Sequence, residues 1–155
     1  GAVLKTVKSG LFPLFTLLIL FTVGCGDDDD TNPLVGVWIR NTYSVLIETN
    51  PSQTFTYDST GTNNETMILE EDGTYSSSGV SNGYPFSGSG SWSSTSDQLT
   101  IVESDYSYID GGDGVPLIYN FSISGSTLTL IRSDTYTDAM DDEYNRVITA
   151  IYTKS

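Results

Sequence analysis

The chain has 155 residues, with 20 Asp and Glu against six Lys and Arg, for a formal charge of −14. It contains no histidine and a single cysteine, Cys25. These counts exclude Ser-His-Asp and Cys-His catalysis, remove the commonest zinc ligand, leave no cysteine pair for a disulfide, and set the surface against nucleic acid and anionic headgroups.

Lys5 and Lys8 open a short basic region, and residues 11–23 follow as an uncharged, mostly apolar run. Its thirteen residues match the apolar core of a secretory signal, about 7–15 residues, and fall short of the roughly 20 that a spanning helix needs. Pro13 sits early in the run, where a helix can still begin after it. The run ends Thr22-Val23-Gly24-Cys25, followed by Gly26 and four aspartates at 27–30. On Gly24 and Cys25 this segment resembles the signal and lipobox of bacterial lipoproteins, with Thr22 where that family most often has Leu. The resemblance implies cleavage before Cys25 and lipidation of Cys25 on its sulfur and its new amino group. Each buried methylene contributes ~0.8 kcal/mol, so several acyl chains hold a protein stably at a membrane. The alternative is a secretory peptide cut elsewhere, or an uncleaved anchor, with Cys25 incidental.

The aspartate run reads physically as a solvated spacer extended by its own charge. Acidic residues directly after a lipidated cysteine also resemble the surface-export signal of Bacteroidetes-type lipoproteins. Thr31-Asn32-Pro33 completes the linker. The expected organisation is a signal peptide at 1–24, a lipidated acidic tether at 25–33 and one domain at 34–155. The expected address is the cell envelope, as an outer-membrane lipoprotein exposed at the surface. The membrane would be a partner through the anchor alone.

Beyond the tether no long stretch has helical periodicity. Short alternating runs recur between turn residues, which predicts an all-β sandwich or barrel. The first spans 35–40 and continues to 47, and a weaker one spans 53–57. Runs at 65–71 and 74–78 flank Asp72-Gly73, a strong hairpin signal because both residues of a two-residue turn there need positive φ. Runs at 86–93 and 99–103 are joined through Ser96-Asp97, and those at 117–124 and 127–132 through Gly125-Ser126. The last covers 144–153. Tyr119, Phe121 and Ile123 alternate with Asn120, Ser122 and Ser124, giving one buried and one wet face. Eight or nine strands joined by hairpins make an antiparallel up-and-down meander, and closure into a barrel removes its edges. An eight-stranded barrel is just wide enough to be filled by side chains or to hold one small ligand.

Leu34-Val35-Gly36-Val37-Trp38 resembles the Gly-x-Trp signature that opens the first strand of lipocalins. Leu69-Glu70-Glu71-Asp72-Gly73-Thr74-Tyr75, Gly90-Ser91-Trp92, Leu99-Thr100-Ile101 and Leu128-Thr129-Leu130 resemble the small lipocalin-like domains of bacterial lipoproteins, across residues 34–155. The resemblance implies a lipocalin-like barrel of about eight strands, with Gly36 and Trp38 as a structural signature. It implies a late-strand arginine, Arg132 or Arg146, packed over Trp38 as a cation–π contact. It also implies a non-catalytic domain that binds a small apolar or amphipathic ligand.

Candidate ligand-binding residues are Trp92, Tyr84, Tyr106 and Tyr108. Trp92 lies beside Gly88 and Gly90, a thin strand segment that marks either a barrel corner or close approach of a ligand. The tyrosines neighbour turns, where rings can stack on a ligand, although tyrosine is also simply a good strand former. Asp110-Gly111-Gly112-Asp113-Gly114 lacks the closing Glu and the flanking helices of a calcium loop, and residues 138–143 read as either a short helical turn or a solvated loop before the last strand. No metal, cofactor or catalytic residue is expected. Glu48, Glu65, Glu70, Glu71, Glu103 and Glu143 supply carboxylates for glycoside hydrolysis without any local arrangement that favours it, so the domain is read as a non-enzyme. The alternative function is an interaction module contacting glycan or a partner lipoprotein through aromatic loops.

Overall fold

The computed structural model describes residues 31–48, 54–107 and 114–155. Cys25, the aspartates at 27–30 and Tyr108 lie outside the described residues. Nine antiparallel strands form among those described: β1 Gly36–Ile47, β2 Phe55–Asp58, β3 Asn64–Leu69, β4 Thr74–Ser81, β5 Tyr84–Ser94, β6 Gln98–Tyr106, β7 Pro116–Ser124, β8 Thr127–Thr137 and β9 Glu143–Lys154. From β3 to β9 each strand pairs with the next in sequence, and β1 pairs with both β3 and β9. This closes eight strands into an up-and-down, lipocalin-like barrel, as expected from the meander of hairpins. The ninth strand, β2, is an annex.

Strand β1 divides its pairing. Gly36 to Ile39 face Leu69 to Thr66 on β3, whereas Thr42 to Val45 face Asp58 to Phe55 on β2. Its other edge runs along β9 from Trp38↔Lys154 to Ile47↔Arg146, with a bulge between Arg40 and Thr42. The bulge places one extra residue, Asn41, on β1 and re-aims the chain at the level where β3 gives way to β2.

One end of the barrel is packed solid. Leu34, Trp38, Leu69, Leu99 and Leu128 have no solvent exposure, and Met67, Leu130 and Ile101 join them. Trp38 Nε1 donates to the Leu34 carbonyl at 2.7 Å, so the buried indole has its one polar group satisfied. Asn32 ties the entering chain to this floor. Its Nδ2 donates to Ser94 Oγ at 2.8 Å, and its Oδ1 accepts from Leu34 N at 3.0 Å.

The cation over Trp38 is Lys154, with Nζ 5.2 Å from the ring centroid, which corrects the expectation of Arg132 or Arg146. Those arginines lie over Tyr119 and Tyr136 instead, at 5.6 and 5.3 Å. Register explains the difference. Trp38 pairs directly with Lys154, whereas Arg132 and Arg146 pair with Ile148 and Asp134 further up β8 and β9. Lys154 reaches the ring and the Pro33 carbonyl by crossing Gly36, where an added Cβ would sit 2.7 Å from Lys154 Cε. With φ at +140°, Gly36 meets both demands of the Gly-x-Trp signature, a conformation unsuited to other residues and room for the lysine stem.

The turns refine the expectations. At Asp72-Gly73 only Gly73 has positive φ, and the turn is a longer one closed by Glu70 N to Thr74 O at 2.9 Å. Both residues of Asn82-Gly83 are left-handed and Ser81 pairs with Tyr84, so a two-residue hairpin lies there, as another does at Gly125-Ser126, where Ser124 pairs with Thr127. Residues 138–143 form a local turn in which Asp138 Oδ1 accepts from the backbone N–H groups of Met140 and Asp142.

Candidate functional site

Inward positions alternate along the barrel strands from the floor up to the bulges, and the floor residues occupy only the first few of them. Continuing the alternation toward the opposite end changes the chemistry. Two residues beyond Trp38 comes Arg40, two beyond Ile101 comes Glu103, two beyond Leu130 comes Arg132, and two before Met67 comes Glu65. These side chains line a cavity of about 380 Å³ together with Tyr43, Tyr75, Tyr119 and Tyr152. That volume falls toward the lower end of the roughly 300–1,000 Å³ typical of small-molecule pockets. Exposed Tyr57 and Asn82 also line it, so it reaches solvent at the end away from Trp38.

The cavity wall is a linked set of charges and hydroxyls. Arg40 Nη1 meets Glu65 Oε2 at 2.9 Å, and Arg40 Nη2 donates to Asn63 Oδ1 at 3.0 Å. The Tyr152 hydroxyl donates to Glu65 at 3.3 Å, and the Tyr75 hydroxyl donates to Glu103 Oε1 at 3.0 Å. Higher on the wall, Asp134 takes Arg132 Nη1 at 3.0 Å and Arg146 Nε at 2.5 Å, so two guanidinium groups share one carboxylate. Arg40 lies 5.4 Å over the Tyr43 ring and Arg132 lies over Tyr119, which fixes both guanidinium planes. Arg132 Nε is buried and has no acceptor among the described residues.

Burial governs the titration of these groups. It is the main cause that raises Glu65, against the opposing pull of Arg40 and the Tyr152 hydrogen bond, with Glu103 adding a smaller upward push. Burial likewise raises Tyr75 and Tyr152, and pushes Tyr119 up to about 12. The tyrosines therefore stay neutral hydrogen-bonding groups at physiological pH. Because Glu65 binds its proton more tightly folded than unfolded, its contribution to stability falls as pH climbs from the ordinary carboxyl range to its raised value. Glu65→Gln should abolish that slope, so wild type should lose stability relative to this variant as pH rises through the window. Urea midpoints measured across the window check the sign.

Of the residues singled out from sequence, the structure brings Tyr106 to the cavity, where its ring packs 5.8 Å from Phe86. Trp92 lies toward the floor, packed against the core, and its Nε1 donates to the Glu70 carbonyl at 2.8 Å. Tyr84 is 64 % exposed beside the Asn82-Gly83 turn and does not line the cavity. Gly90 marks a close approach of backbone, since an added Cβ would lie 1.9 Å from the Val102 carbonyl oxygen at the bulge after Ser89. Arg40, Glu65, Glu103, Arg132, Tyr43, Tyr75, Tyr119 and Tyr152 were not singled out as binding residues from sequence. The inward alternation itself, carried past the apolar positions, finds them all except Tyr43, which the bulge between Arg40 and Thr42 turns inward. Compared with protein-family models and with curated proteins, the chain matches none.

Proposed function

We propose that the chain is a lipid-anchored envelope protein whose barrel binds one small amphipathic molecule without altering it chemically. The observation that carries this reading is the cavity, about 380 Å³ at the end of the barrel opposite Trp38. Its wall mixes rings, aliphatic side chains and hydrogen-bonding groups, which favours an amphipathic ligand over a purely apolar one. Leu117, Ile148 and Phe86 supply apolar contact, while tyrosine hydroxyls and Ser77 supply donors and acceptors. Glu65 and Glu103, the two carboxylates in the cavity, are engaged by Arg40, Tyr152 and Tyr75, which supports a binding role over acid–base work. The lipobox-like Gly24-Cys25 and the following aspartates support anchoring and surface exposure.

Filling the cavity tests the binding reading. Ala150 lines it and is buried on β9. Ala150→Phe should weaken phenylbutanoate or any other cavity ligand about tenfold or more, by titration calorimetry, while near-ultraviolet circular dichroism remains native. Undiminished binding by the folded variant would place the ligand elsewhere. Anchoring is tested separately. Cys25→Ser should shift the protein from the membrane fraction to the soluble fraction, and mass spectrometry of the membrane-extracted wild type should find Cys25 acylated.

A second reading is contact with glycan or a partner lipoprotein. Phe55, Tyr57 and Tyr136 favour it, since they are 48 %, 43 % and 44 % exposed and lie with Val45, Ile47 and Arg146 around one concavity. A glycan array in which binding disappears with Phe55→Ser and Tyr136→Ser, and survives Ala150→Phe, would select it.

A further inference from the structure

The chain carries only three arginines, Arg40, Arg132 and Arg146, against 20 acidic residues. Arg40 and Arg132 line the cavity, and Arg146 lies beside it at the concavity formed with Phe55 and Tyr136. Charge gains most from water at the surface, so placing two of three arginines in the cavity wall is a costly arrangement that hydration disfavours. The local balance is also uneven. Arg40 is matched by Glu65, but Arg132 and Arg146 divide the single carboxylate of Asp134, and Glu103, the other carboxylate in the cavity, is bonded to Tyr75 instead. The Tyr43 ring lies beneath Arg40 and lines the same cavity as Arg132. Arg132 presents a buried Nε–H with no acceptor among the described residues, and a buried donor of that kind is disfavoured until it is paired.

Resting on the binding function proposed above, we infer that the cavity ligand carries a carboxylate seated on Arg132 beside Tyr43, with its apolar body toward Phe86 and Ile101. A carboxylate offers planar acceptor oxygens that suit the edge of a stacked guanidinium. Glu103, on β6 and bonded to Tyr75, repels a second negative charge and so directs the head group toward β8. The apolar body then meets the ring of Phe86 and the side chain of Ile101, both buried and both lining the cavity.

The test compares phenylbutanoate with its neutral isostere phenylbutanamide on the purified wild-type full chain, by titration calorimetry. The carboxylate should bind about tenfold or more tightly than the amide, the difference expected of a charge-assisted hydrogen bond. Arg132→Met, which keeps the aliphatic stem, should reduce that preference to about threefold or less, and Arg132→Lys should keep part of it. If Arg132→Met does not fold, the wild-type pair and the lysine variant still decide the matter. Equal binding of the two compounds, or tighter binding of the amide, overturns the carboxylate assignment and leaves the cavity reading standing. Absence of binding by either compound to folded wild type overturns both.

Discussion

Trp38→Ala is expected to cost about 3–5 kcal/mol of stability, the largest effect of any single floor substitution. The indole is fully buried at the foot of β1 and packs with Leu34, Met67, Leu69 and Leu128. Alanine removes its contact with each, and the eight strands that surround the floor are tied by closure and relax poorly into the space. The change also strips the donor from the buried Leu34 carbonyl and the ring from beneath Lys154. The thermal midpoint should fall by roughly 10–20 °C. Trp38→Phe keeps a ring while losing the hydrogen bond, so it should cost about a third as much. Thermal and urea unfolding followed by circular dichroism measure both.

The second large effect is expected from Arg40→Met. This leaves the buried Glu65 carboxylate with Tyr152 and Glu103 and without its cation. Breaking a buried pair from one side costs about 3–5 kcal/mol because the abandoned charge remains desolvated. The cost should depend on pH. Glu65 already holds its proton more tightly than an ordinary glutamate, and losing Arg40 raises it further. At low pH the carboxyl is neutral and the missing guanidinium matters little, so the penalty should grow as pH rises to neutrality. The double variant Arg40→Met with Glu65→Leu removes both charges and should recover most of the loss. A double-mutant cycle run near pH 5 and again near pH 8 isolates the pair.

The fold was legible in the sequence because its signals are local. Alternation in 117–124, the Asp72-Gly73 and Gly125-Ser126 turns, and the apolar tips at Leu99, Leu128 and Leu130 each specify a strand or a hairpin without reference to distant residues. Closure depends on β1 pairing with β9, more than a hundred residues away, and followed only from the preference for a sheet without edges. The site was less legible. Arg40, Glu65, Glu103 and Arg132 look like ordinary surface charges when read singly, and only the parity of each strand turns them inward. The cation over Trp38 was assigned to an arginine by resemblance, although the terminal residues of β9 decide the contact and bring Lys154 there by register. Trp92 drew attention as a large ring in a glycine-rich strand, but its alternation with Phe86, Gly88 and Gly90 carries it down to the packed end, where it meets Glu70. Among the tyrosines, Tyr43, Tyr75, Tyr119 and Tyr152 line the cavity from within β1, β4, β7 and β9, Tyr106 lines it from the end of β6, and Tyr84 beside its turn faces solvent.

Ligand binding inside the barrel is tested most directly by amide and methyl NMR of isotope-labelled protein titrated with phenylbutanoate. Saturable shifts should appear at Ser77, Ile101, Ile148 and Ala150, which line the cavity, with Leu69, Leu99 and Leu128 at the floor left unchanged. Shifts confined to outward residues such as Ile39, Ile118 and Ile131, or the absence of any saturable shift, would contradict it.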